Sequence, residues 1–351
     1  MIRFSAKGGL IVSTQQNYTN VTPPVGQPSV DAMMKSTIVG LYDQFKGNVS
    51  GNLADYIPEL AKVAPDQFGV ALTSNQGKTV WIGDASVPFT IQSVSKALTF
   101  AMLLERVGRE ETYRYVGVQP MAEPFNAITL NPASNRPFNP MVNTGAIAVA
   151  GRLRQTLGPN AFDEVLETFG RVAGRALDID EQVFRSERET GHRNRAIGHL
   201  LRAVGVFDVP VEEVLDLYFR QCSIRVTAID LSIMGATFAN LGVNPVTRKE
   251  VLGLDPVRDT LSTMFTCGMY DGAGDWSCKV GLPAKSGVGG GILAVVNRQL
   301  GIGVFSPRLD AVGNSVRGQL CCAALSRELG LHAFDMSNMG SSFLHAMSGR
   351  R

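Results

Sequence analysis

Ser93-Val94-Ser95-Lys96 is the only Ser-x-x-Lys in the chain, and it pairs a hydroxyl nucleophile with an amine. On a helix, positions i and i+3 share a face one turn apart, so the two groups can meet. A serine hydroxyl attacks poorly at neutral pH unless a neighbour takes its proton. Burial disfavours a charged lysine and lowers its pKa from about 10.4, which makes the amine a base. The run Ala97-Leu98-Thr99-Phe100-Ala101-Met102-Leu103-Leu104 supplies apolar surroundings of that kind. A lone Ser-x-x-Lys on an ordinary helix would be two solvated side chains. The apolar run and a second element downstream favour the chemical reading.

That second element is Leu282-Pro283-Ala284-Lys285-Ser286-Gly287-Val288-Gly289-Gly290-Gly291. Its glycines let backbone come close to a ligand, and an N–H there can point at a developing oxyanion. Taken alone, it reads as a flexible turn before a strand.

Several elements must position these two strings. Asp31 to Phe45 has helical apolar spacing, and Phe68–Thr73 and Thr79–Gly83 flank a hairpin signal at Ser74-Asn75-Gln76-Gly77. Helices are expected over 147–157, 161–173, 194–204, 211–222 and 228–241, separated by loops rich in Pro, Asn and Gly. Strand character returns over 291–296 and 300–305, and a helix over 315–329 follows. No internal repeat is present. Strands at both ends with helices between them predict one sheet made from both ends of the chain. Residues 31–92 and 280–331 would form that α/β domain, and 93–279 a mostly helical insertion that starts with the nucleophile helix. A cleft at their junction would be the natural home of a small-molecule site. Residues 1–30 read as a poorly ordered extension and 332–351 as a weakly ordered tail.

Composition narrows the partners. At 351 residues, with 44% hydrophobic and 18% charged residues, the chain can bury a large core. Its 33 basic and 31 acidic residues leave a formal charge of +2, with no footprint for nucleic acid or a membrane surface. The five cysteines (222, 267, 278, 321 and 322) have no metal-like spacing, and the four histidines form no HExxH, so no metal site is expected. Neither a secretory signal nor a membrane span is visible, and the expected location is the cytoplasm.

Lys285-Ser286-Gly287 ahead of a β-run resembles the Lys-Thr-Gly element of serine β-lactamases and penicillin-binding proteins. Those enzymes carry Ser-Asp-Asn or Tyr-x-Asn between the two elements, and neither occurs here after Ser93. The chain has other strings instead: residues 51–58 (GNLADYIP), 89–96 (FTIQSVSK) and 139–147 (NPMVNTGAI). They continue with Ser186-Glu187, 192–196 (HRNRA), 268–271 (GMYD), 303–307 (GVFSP) and 313–318 (GNSVRG). Together they resemble the serine-dependent glutaminases, from about Asp31 to about Leu331. The resemblance implies a β-lactamase/transpeptidase-like α/β (α+β) fold, with an antiparallel sheet and an inserted helical domain. It implies hydrolysis of L-glutamine to L-glutamate and ammonia, no cofactor, and a homodimer or homotetramer.

By the same resemblance Ser93 is the nucleophile and Lys96 its proton acceptor, with Tyr56 and Tyr270 beside them. Asn143, Glu187, Asn194 and Tyr218 match substrate-holding positions, and the Val288 N–H matches the oxyanion donor; Lys285 is a second-rank candidate. Glutamine brings an ammonium, a carboxylate and a neutral amide. Glu187 suits the ammonium through a charge-assisted hydrogen bond, while Asn143, Asn194 and Tyr218 can donate without adding charge. Which of them holds which group stays open. Singly, Asn143 fits a helix cap, Tyr218 a core position, Tyr270 a turn aromatic and Glu187 a surface acid. Their joint order with Ser93 and Lys285 favours a site. Two rival functions are a β-lactamase or D-Ala-D-Ala peptidase-like hydrolase, and a non-catalytic amino-acid sensor.

Overall fold

Two β-rich runs from opposite ends of the sequence meet in one sheet. The computed structural model describes residues 30–335 apart from 56 and 122. The expectations for 1–30 and 332–351 therefore fall almost wholly outside the described residues. In chain order the strands are β1 (Gly69–Ser74), β2 (Thr79–Gly83), β3 (Phe89–Thr90), β4 (Arg225–Val226), β5 (Ala284–Ser286), β6 (Gly291–Val296) and β7 (Leu300–Phe305). The helices are α1 (Val30–Phe45), α2 (Ser95–Tyr115), α3 (Asn143–Leu157), α4 (Ala161–Ala173), α5 (Glu181–Thr190) and α6 (His192–Ala203). They continue with α7 (Val211–Cys222), α8 (Ala228–Ala239), α9 (Leu254–Cys267), α10 (Ala273–Lys279) and α11 (Val316–Leu329).

The main sheet has the order β2-β1-β7-β6-β5, antiparallel throughout. The pairing of β1 with β7, with Val70 opposite Val304 and Leu72 opposite Ile302, joins the two ends of the chain. Side chains alternate between the faces of a strand. Val70, Leu72, Ile292, Ala294, Ile302 and Val304 accordingly share one face, packed against Met34, Ile38 and Leu41 of α1 and Cys321, Cys322 and Leu325 of α11. On the other face β7 carries glycines. A Cβ on Gly303 would sit 1.9 Å from the Ala228 carbonyl oxygen, so α8 lies with its backbone almost against the strand.

Helix α2 packs against α3, α4 and α9, and its Ala97, Leu98, Phe100, Ala101 and Leu103 are buried in the larger core. The mixed α/β architecture with an antiparallel sheet is as expected. Details differ. The two short strands β3 and β4 pair with each other outside the main sheet, flanking the nucleophile turn. Helices α5, α9 and α10 were not foreseen, and α8, in the middle of 93–279, packs on the sheet. Lys285 and Ser286 precede the β6 run as expected but themselves form a short strand, β5, hydrogen-bonded to β6 as an edge of the sheet. Four of the five cysteines are buried free thiols, and Cys278 is exposed. Among the described residues no helix is long and apolar enough to cross a membrane.

Candidate active site

The nucleophile sits at a junction. Strand β3 leads into a single 3₁₀ turn, Gln92–Val94, and α2 begins at Ser95. Gln92 has φ +49, a left-handed value costly for a residue with a long side chain. The Ser95 hydroxyl donates to the Gln92 carbonyl oxygen at 2.7 Å and helps hold the turn in place. Ser93 is thereby set at the wall of a cavity of about 220 Å³, which Gln92, Asn143, Glu187, Asn194 and Tyr218 also line.

Each of those side chains arrives on a different element. Asn143 is the first residue of α3 and does not cap it. Its side chain accepts from Lys96 Nζ at 2.6 Å and donates to Asn194 Oδ1 at 3.1 Å, near the start of α6. Glu187 lies on α5, which Asp180 caps by accepting from the Gln182 and Val183 N–H groups. With that start fixed, Val183, Phe184 and Glu187 form the buried face of the helix. Gln92 Nε2 donates to Glu187 Oε1 at 2.8 Å. Tyr218 and Cys222, one turn apart on α7, complete this wall.

Burial governs the electrostatics. Lys96 is fully buried, which pushes its amine down to about 8, against the smaller opposing pull of Cys222 and Glu187. Burial pushes Glu187 up to about 8, opposed by the Gln92 hydrogen bond and by Lys96. Both groups are thus poised to change charge near neutral pH. An arriving ammonium would favour the ionised form of Glu187.

Ser93 and Lys96 lie one turn apart, yet Lys96 Nζ is hydrogen-bonded to Asn143. Burial holds the Tyr270 phenol above its usual range. Contacts to a catalytic base often tighten only when substrate binds. Tyr270 also has a positive φ, +55, and its hydroxyl donates to the Ser286 carbonyl oxygen at 3.2 Å. Tyr56, the other expected tyrosine, lies outside the described residues.

Lys285 departs from expectation. It neither lines the cavity nor pairs with an acid. It is fully buried behind Tyr270, with Nζ donating to the carbonyl oxygens of Gly268 and Ser286 and lying 4.1 Å from the Tyr270 ring centre. Burial, then the charge of Lys96, push its amine well below the ordinary lysine value. The turn that carries Val288 lies beside the nucleophile: a Cβ on Gly287 would sit 2.9 Å from the Ile91 carbonyl oxygen and 3.3 Å from the Ser93 nitrogen. The Val288 side chain packs with Ile57, Leu60 and Leu309, leaving only its backbone available for chemistry. Gln92, Phe125 and Cys222 were not singled out from the sequence. Gln92 stood in a quoted string next to Ser93, whereas Phe125 comes from an irregular loop that carried no signal.

A family model described as Glutaminase matches residues 51–334. The chain belongs to the glutaminase family. A glutaminase from Nostoc sp. is 48% identical over 301 residues, covering 86% of this chain and 90% of its own length. Glutaminase 2 of Bradyrhizobium diazoefficiens is 48% identical over 347 residues, and the chain spans 55% of that longer protein. Among solved structures, the probable glutaminase YbaS has a TM-score of 0.83 at 38% identity, covering 88% of this chain and 99% of its own. Mglu in its glutamate form has a TM-score of 0.81 at 41% identity, covering 88% of this chain and 71% of its own. The glutaminase fold is β-lactamase-like, as the Lys-Ser-Gly element led one to expect.

Proposed function

We propose that the chain hydrolyses the side-chain amide of L-glutamine to L-glutamate and ammonia, with Ser93 carrying the γ-glutamyl group. The observation that bears most on this is the cavity itself. One small space gathers a buried serine, a buried carboxylate and the neutral polar side chains of Gln92, Asn143, Asn194 and Tyr218, with a buried lysine one residue behind its wall. The glutamate form of Mglu supports a site of this chemistry.

Glu187 would take the substrate ammonium, and Asn143, Asn194 and Tyr218 the carboxylate and amide. In the first step Ser93 Oγ bonds to the amide carbon as its proton passes to neutral Lys96, and the carbonyl oxygen becomes an oxyanion held by backbone N–H groups of Ser93 and Val288. The C–N bond then breaks as the nitrogen is protonated, through Tyr270 or Tyr56, and ammonia leaves. Water, deprotonated along the same route, cleaves the ester and returns the proton to Ser93. We infer a cytoplasmic location from the reduced thiols, and a homodimer or homotetramer from the family.

The test is ammonia release from glutamine beside nitrocefin hydrolysis. We expect ammonia from the native chain, none above background from Ser93→Ala, and no nitrocefin turnover by either. Unchanged ammonia release by Ser93→Ala would end this reading.

A further inference from the structure

Gly268 and Met269, the two residues before Tyr270, are pinned by their carbonyls. The Gly268 oxygen accepts from Lys285 Nζ at 2.9 Å and from the Ser286 N–H at 3.3 Å. The Met269 oxygen accepts from Asn314 Nδ2 at 3.2 Å. A carbonyl can only accept, so the amide nitrogen of Asn314 must face Met269. That turns Asn314 Oδ1 towards Ser286, whose hydroxyl donates to it at 2.5 Å. Asn314 is 1% exposed and Ser286 fully buried, so neither hydrogen bond has water as a competitor.

A left-handed backbone on a bulky residue is strained and persists only where its surroundings over-determine it. Tyr270 is such a residue, and its hydroxyl donates to the Ser286 carbonyl oxygen, beside the Gly287 backbone that lies against Ser93. We infer that Asn314, bridging Ser286 on β5 to Met269, is a positioning residue that holds the Tyr270 hydroxyl against the nucleophile. The inference rests on the reading of Ser93 as nucleophile. Lys285 completes the clamp, binding the residues on either side of the bridge and packing over the Tyr270 ring. The pair Lys285-Ser286 and the string around Asn314 thereby share one task, though neither side chain lines the substrate cavity.

A double-mutant cycle on ammonia release tests this, using Tyr270→Phe, Asn314→Ala and the double variant. Tyr270→Phe removes only the hydroxyl and should lower kcat about 10²-fold. Asn314→Ala should lower kcat roughly tenfold, with KM within about twofold, because a misplaced group weakens the chemical step more than binding. In the Tyr270→Phe background the same change should have almost no further effect. A purely structural role would give the same fold-loss in both backgrounds and would overturn the inference. Should Asn314→Ala not fold, Ser286→Ala removes the other end of the same hydrogen bond and is read by the same criterion. An active Ser93→Ala would instead defeat the nucleophile reading, so the two failures are distinguishable.

Discussion

The layer between the sheet and helices α1 and α11 differs in kind from the layer around Ser93. The first is apolar: Met34, Ile38, Leu41, Val70, Leu72, Ile302 and Val304 are buried there. The second buries Lys96, Glu187, Lys285, Ser286, Asn143 and Asn314 as well. Burying such groups disfavours their charged forms, and polar groups so placed are tolerated only when hydrogen-bonded. The contrast separates residues that stabilise the fold from residues held at a thermodynamic disadvantage because their chemistry needs it.

Lys96→Met should break the contrast most visibly. Activity should fall about 10²–10⁴-fold with the loss of the base, while stability rises. The sign follows from the lowered amine. With 10.5 as the ordinary value and about 8 in the folded protein, the stabilising share of Lys96 is present above 10.5 and lost as pH falls through 8. Its removal should therefore gain up to roughly 3 kcal/mol near neutral pH and little near pH 11, as read by denaturant melts at both. Next comes the oxyanion turn. Val288→Pro deletes the N–H and should lower kcat by about 10²–10³, whereas Val288→Ala should cost only a few-fold. Equal losses would show that the side chain matters instead.

A smaller effect concerns pH. Both Lys96 in its neutral form and Glu187 in its charged form are needed, and both change state near 8. Activity as kcat/KM should therefore rise with pH and level off above about 8. A profile that falls across that range would remove Lys96 as base. The smallest catalytic effect belongs to the apolar layer: Ile302→Ala should cost about 2–5 kcal/mol in stability and leave kcat/KM within about twofold below its melting temperature.

The same contrast explains what was legible in the sequence. Regular periodicity marked α1, α4, α7 and α11 and the hairpin of β1 and β2. The residues flanking the nucleophile gave away Ser93 and Lys96. Helix α5 escaped because its sequence, EQVFRSERET, buries only Val183, Phe184 and Glu187, too short an apolar stripe to read. Its Asp180 cap was the available signal. Helix α9 hid behind Ser and Thr, although Pro256 in its first turn marks a helix start. Lys285 was misplaced for a different reason. A short edge strand beside a glycine-rich turn looks local in sequence, while the partners of its amine, Gly268 and Tyr270, come from a distant turn that no periodicity announces.

Mass spectrometry of the rapidly quenched reaction addresses the covalent intermediate itself. Native protein mixed with excess glutamine should gain the mass of one glutamyl group, located by digestion on the peptide holding Ser93 and missing from Ser93→Ala. A glutamyl adduct on any other side chain, or the same adduct on the alanine variant, would contradict the assignment of that serine.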